Sequence, residues 1–218
     1  MAGSAVAAPV FRVVGSIRCP PYFRRMRLFL FLLLLAGGTA SAQLPDRAIH
    51  DLKTGRWRDD TSFVYTLPYA TGARYLFVQG ANSKMSHRNE LSYDFKMKKG
   101  SRICAARSGV VESARADSDK GGLQPENLAD GNFIIVRHAD GGKACYWQLQ
   151  QGGVLVAVGD SVRAGQPIGR SGNTGYTAFP HLHFQVYDGQ DREILVRFAT
   201  RKGVVYLRPG RSYRGVAR

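Results

Sequence analysis

The chain has 218 residues, of which 22% are charged and 44% apolar. Those fractions are typical of a soluble globular protein of one sizeable domain and exclude a disordered chain. The formal net charge of +15 points to anionic partners, but no dense Lys/Arg run with interleaved aromatics is present, which argues against nucleic acid.

Residues 1–42 carry five arginines and no acid. From Met26 the chain reads as basic residues, an apolar run Leu28–Ala36, and the small-x-small site Ala40-Ser41-Ala42. That order is a secretory signal peptide, with cleavage expected after Ala42. The apolar run is short for a membrane span, and an uncleaved anchor is the alternative. Met26 is an alternative start, and Arg24-Arg25 leaves a twin-arginine route open. The expected location is periplasmic or extracellular, with membrane contact only during export. Without the leader, 26 Lys+Arg face 16 Asp+Glu, so the exported part is itself basic. Exported proteins meet oxidising surroundings. Cys19 leaves with the leader, so Cys104 and Cys145 remain, either as a disulfide or as two buried thiols.

Residues 43–60 are polar and mixed, an arm that packs on the domain. Ser62–Pro68 and Arg74–Gly80 are β-rich runs around Tyr69–Ala73, the pattern of a hairpin. Ile103–Ala106 and Val110–Ala114 read as strands around a Ser108-Gly109 turn. Residues 117–132 are polar, with Gly121-Gly122 and Pro125, and read as a loop. Phe133–His138 and Lys143–Leu149 flank Ala139-Asp140-Gly141-Gly142, a second hairpin. Short strands and turns follow to Gly169. The domain is therefore all-β or β-dominated, with antiparallel sheets of short strands forming a groove. Residues 43–66 form the arm and first strand, 67–190 the main domain, and 191–218 a basic tail packing on it. No linker divides the exported part, and a monomer is expected.

The stretch Gly172-Asn173-Thr174-Gly175-Tyr176, leading to Pro180-His181-Leu182-His183-Phe184, carries the chemistry. Its glycines allow backbone angles closed to other residues. Pro180 cannot donate to a ladder, which suits the entry to a strand. Side chains alternate along a strand, so His181 and His183 share one face while Leu182 and Phe184 take the other. Two imidazoles on one face can share a metal, or one can bind it while the other handles a proton. Two surface histidines are the plain alternative. His87 and Asp94 add a nitrogen and an oxygen, which with His183 makes the three protein ligands common in catalytic zinc sites.

These motifs resemble the LytM/lysostaphin-type zinc endopeptidases, which cut peptide cross-links of bacterial peptidoglycan. The resemblance spans Leu67–Tyr187 and rests on His87 with Asp94, Ala105–Val111, His138–Gly141, Tyr146–Leu149, Gly159–Val162 and Ser171–Phe184. It implies a lysostaphin-type fold, one zinc ion per chain held by His87, Asp94 and His183, and His181 as a catalytic residue that does not bind the metal. It also implies peptidoglycan peptide stems as the substrate. Asn173, Thr174 and Tyr176 are candidate groove residues.

One position departs from the family pattern, which has a second catalytic histidine in a Tyr-x-His-Leu strand. Here that strand reads Tyr146-Trp147-Gln148-Leu149, so Gln148 stands where the histidine would. An amide can donate a hydrogen bond, but it cannot carry charge or move a proton. A zinc-dependent endopeptidase is the first expectation. A zinc-binding but catalytically impaired wall-binding protein, or an activator of other hydrolases, is the second.

Overall fold

A computed structural model describes residues 59–81, 83, 87 and 90–217. The expected signal peptide, its expected cleavage site and most of the expected arm lie outside the described residues. The first strands are β1 (Asp59–Tyr65), β2 (Arg74–Gln79), β3 (Tyr93–Lys96), β4 (Arg102–Cys104) and β5 (Gly109–Arg115). Then come β6 (Gly121–Gly122), β7 (Asn132–Arg137), β8 (Lys143–Val154), β9 (Ser161–Val162) and β10 (Pro167–Ser171). The last are β11 (Gly175–Tyr176), β12 (His181–Tyr187), β13 (Leu195–Thr200), β14 (Gly203–Val205) and β15 (Arg211–Arg214).

The large sheet runs β15-β2-β3-β12-β8-β7-β5-β9, with β10 bridging β4 and β8. Its pairs are antiparallel. The alternation of β12 fixes which side is the core. Leu182, Phe184 and Val186 are fully buried and meet Phe95, Tyr93, Tyr146 and Ala144 across the strands. Phe184 packs on the rings of Tyr93, Tyr146 and Phe198. The intervening residues of β12 face the other side, and that side carries the polar site.

The hairpin expected of Ser62–Pro68 and Arg74–Gly80 does not form. β1 pairs in parallel with β13, Tyr65 opposite Phe198, while β2 takes β3 and β15. The reason lies in the supposed turn. Tyr69 is a core residue whose ring meets Tyr75 and Phe95 edge-on and whose hydroxyl donates to the Tyr213 carbonyl. Residues 66–70 thus cross the core instead of reversing the chain at its surface. Residues 117–132 are also more ordered than a plain loop: they hold β6, a 3-10 helix at Pro125–Asp130 and the start of β7. The β7–β8 hairpin forms as expected. The segment read as a basic tail supplies β13, β14 and β15.

Cys104 and Cys145 are both buried and are not joined in a disulfide. Cys145 lies on the face of β8 that meets Gln185. The adjacent Tyr146 points the other way, and its hydroxyl accepts from the Ala106 amide, two residues from Cys104. The pleat therefore sends Cys145 away from the side where β4 ends at Cys104. The two-thiol alternative is the one the structure holds.

Candidate active site

Strands β3 and β12 bring the site together. His183 sits directly opposite Asp94, and His181 opposite Lys96. Opposed residues share a face and lie close. His87 enters from the segment before β3. Its Nε2 is 3.0 Å from Asp94 Oδ2, and His183 Nδ1 is 2.9 Å from Asp94 Oδ1. The His87 and His183 rings meet edge-on at 5.0 Å. One ligand atom from each of His87, Asp94 and His183 lies within 4.8 Å of the others. Two imidazoles and one carboxylate converging at one buried point suit a metal ion.

Each ring is held from behind. His87 Nδ1 meets the Gly80 carbonyl at 3.2 Å. A carbonyl only accepts, so Nδ1 donates there, and Nε2 is the ring atom turned to Asp94. His181 obeys the same logic. Its Nδ1 donates to the Phe179 carbonyl at 2.8 Å and lies 3.2 Å from Thr177 Oγ1. Its Nε2 is then the basic nitrogen, 3.6 Å from Asp94 Oδ1. Phe179 packs on the His181 ring at 5.3 Å.

The electrostatics follow from burial and charge. Burial alone would raise the Asp94 carboxyl, but His87 and His183 beside it hold it far below the usual carboxylate range. Burial lowers the pKa of His181 below 6.5, with Asp94 offsetting part of that. Burial acts the same way on His183, but the Asp94 hydrogen bond outweighs it, and its pKa is raised.

Sequence reasoning missed a supporting chain. Gln185 follows His183 by two residues and so shares its face; that spacing was the available signal. The Gln185 side chain hydrogen-bonds the His183 ring and helps to raise its pKa. Gln185 Nε2 donates to Glu193 Oε1 at 3.2 Å, and the Leu91 amide donates to Glu193 Oε2 at 2.7 Å. Leu91 precedes Asp94 by three residues. Glu193 therefore braces both the His183 ring and the segment that delivers Asp94. Glu193→Ala is expected to weaken metal affinity about 10–100-fold, as loss of an outer hydrogen-bond partner usually does. Chelator competition reads this directly; an unchanged Kd in a folded variant would show that Glu193 has no bracing role.

Gln148 is the strained position. It has φ 59, a left-handed conformation uncommon outside glycine. Asn132 pairs with Leu149 and Phe133 with Trp147, so Gln148 is the extra residue of a β-bulge in β8. Its Oε1 is buried without a hydrogen-bond partner among the described residues. Bulges beside active sites re-aim side chains, and orphaned buried polar atoms mark places where a ligand completes the bonding. The neighbouring Trp147 sits opposite His183 and packs at a tilt against Phe133, ring centres 4.7 Å apart, an aromatic wall that sequence reading did not single out.

The glycine-rich loop is less flexible than its composition implied. A side chain on Gly172 would strike the β8 backbone at 2.3 Å, so this position must be glycine for close approach. Of the candidate groove residues, Thr174 is buried and its hydroxyl donates to the Leu149 carbonyl while accepting from the Asn132 amide. Asn173 accepts from Thr177 Oγ1. Tyr176 is half-buried, in the two-stranded β11–β6 sheet. His138 lies apart, with Nδ1 on the Ser108 carbonyl and its ring against Tyr65.

The geometry agrees with the comparisons. A model described as peptidase family M23 matches residues 88–194. Over those residues the chain is similar to the LytM/lysostaphin-type M23 family. Glycyl-glycine endopeptidase ALE-1 of Staphylococcus capitis is 37% identical over 121 residues, which are 56% of this chain and 29% of that protein. Peptidoglycan DD-endopeptidase ShyC of Vibrio cholerae is 35% identical over 92 residues, 42% of this chain and 18% of that one. The catalytic domain of lysostaphin from Staphylococcus simulans is 31% identical with a TM-score of 0.41, covering 54% of this chain and 80% of that one. The chain spans less than a third of the length of these curated relatives. Among the described residues, no helix is long and apolar enough to cross a membrane.

Proposed function

We propose that this chain is an exported zinc-dependent endopeptidase that hydrolyses peptide cross-links of bacterial peptidoglycan. The observation that carries the reading is the buried His87–Asp94–His183 group with the basic nitrogen of His181 directed at its carboxylate. These three residues would hold zinc. When bound, the ion supplies Lewis acidity, polarising a carbonyl and acidifying water.

The protein's own groups do the rest. His181 accepts a proton at Nε2 and returns it to the leaving amine, as a general base and then acid. Its Nδ1 bond to Phe179 keeps it in the tautomer this requires. The Gln148 amide takes the place of a histidine and can hydrogen-bond to substrate without transferring a proton. Trp147, Phe133 and the β6–β11 sheet would form one wall of the substrate groove. The curated relatives named above are endopeptidases, one of glycyl-glycine and one of peptidoglycan, which supports the same bond class here.

The test is hydrolysis of purified peptidoglycan by the zinc-loaded protein, beside His181→Ala. Cutting by the native protein and none by the variant is the expected result. A specific observation favours a second reading: Gln148 is at the position of a catalytic histidine. A native protein that binds zinc stoichiometrically yet leaves peptidoglycan intact would be a wall-binding or regulatory member.

The lowered His181 pKa sets the pH dependence. A base whose pKa falls stays unprotonated to lower pH, so activity is kept as pH drops through 6.5 and is lost only beneath it. kcat measured against pH, with metal content checked at each point, should show its acid limb below 6.5. A limb above 7 at full metal loading would remove His181 from the role of base.

A further inference from the structure

The net charge of the exported part is concentrated in two segments far apart in sequence. Residues 61–89 and 194–218 hold ten Lys and Arg and no Asp or Glu, whereas 43–60 and 90–193 hold sixteen of each. The fold brings the two acid-free segments together: β2 pairs with β15, and β1 with β13.

β15 is the outer strand of the large sheet, and Arg214 lies directly opposite Arg74. Like charges opposed across two strands are destabilising, so this pairing persists against its own repulsion. Arg74, Arg208, Arg211 and Arg214 are all exposed, and none has a carboxylate partner among the described residues. The register also decides which way Arg74 and Arg214 face, and it sets Arg211, opposite Phe77, on the other side. Ser212 is opposite Leu76, Leu76 opposite Lys96, and Lys96 opposite His181. Arg74 and Arg214 are two residues from Leu76 and Ser212, so they project from the face that carries Lys96, His181 and Asp94. With strands 4.7–4.9 Å apart, they lie about 10 and 14 Å across the sheet from β12.

The geometry points to a binding surface for a phosphate-bearing polyanion on this edge, continuous with the metal-site face. Guanidinium groups match phosphate oxygens in a fork, and the exposed cations here are arginines. Charged edge strands also deter aggregation, but that needs neither an acid-free surround nor a common face with the site. A membrane surface fits less well, because stable attachment requires inserted apolar side chains. Among the described residues of these segments only Val204 and Phe63 are exposed large apolar side chains, and Phe63 is covered by the Arg107 guanidinium at 3.2 Å. The inference deepens the peptidoglycan reading, since it supplies a hold on an anionic wall polymer beside the cutting site.

The experiment measures binding of the purified chain to labelled inorganic polyphosphate across a salt series. Anionic phospholipid vesicles form a second arm. The variant is Arg74→Gln with Arg208→Gln and Arg214→Gln, and a matching triple Lys variant keeps the charge. The native chain should bind polyphosphate, less tightly as salt rises, and the triple Gln variant should bind about tenfold more weakly. Unchanged metal affinity and circular dichroism show that each variant is folded. Equal binding by the native and triple Gln chains overturns the inference. So does loss of binding in the triple Lys variant to the level of triple Gln, or native binding to vesicles but not to polyphosphate. His181→Ala should bind polyphosphate like the native chain, so failure to cut peptidoglycan and failure of this surface are separate results.

Discussion

Gln148→His should raise the rate of peptidoglycan hydrolysis by about 10²-fold, the scale of one oxyanion-stabilising donor. The backbone at this position already suits the change. Histidine is among the residues that tolerate a left-handed conformation, so φ 59 poses no new obstacle. The bulge in β8 has placed one side chain out of register, with its Oε1 buried and without a hydrogen-bond partner among the described residues. An imidazole there can carry charge and move a proton, which the amide cannot. kcat/KM on purified peptidoglycan, at matched zinc content, decides the matter. A rate that stays level means the amide already suffices. A rate that falls means that Gln148 makes a bond of its own to the substrate.

Asp94→Asn has the opposite sign and the larger effect. The carboxylate sits between two imidazoles at 3.0 and 2.9 Å, with His181 at 3.6 Å, and no other acid is part of the ligand group. Asparagine keeps the shape and removes the charge. Metal affinity should fall by more than about 10²-fold, beyond what loss of an outer partner brings. Hydrolysis should then vanish at ordinary metal concentrations. The metal-free protein should change as well. A carboxyl whose folded pKa is depressed stabilises the fold above its unfolded pKa, about 3.9, and that contribution is lost as pH falls. The acid destabilisation of the native metal-free chain should therefore be weaker in the variant. Retained zinc at chelator concentrations that spare the native protein would remove Asp94 from the ligand set.

Much of the site could be read along the chain because its parts are local. His181 and His183 share a face by the two-residue period of a strand, and Leu182 and Phe184 take the core side for the same reason. The β7–β8 hairpin followed from its Ala139–Gly142 turn, and Gln148 could be seen as a departure by position alone. What the sequence by itself determined was thus the β class, the strand faces and the chemistry available on them.

Tertiary structure decided what lies next to what. Nothing local distinguishes β1 paired with β2 from β1 paired with β13; burial of Tyr69 in the core made the difference. Glu193 is distant from Leu91 along the chain, yet it accepts from the Leu91 amide and from Gln185, a contact that only the closed fold creates. The arginines of β2 and β15 are likewise ordinary surface residues until the register sets Arg74 against Arg214 on the face of His181. The physical reason is the same in each case. A strand's faces follow from its own backbone geometry, whereas its neighbours follow from which apolar faces bury one another best.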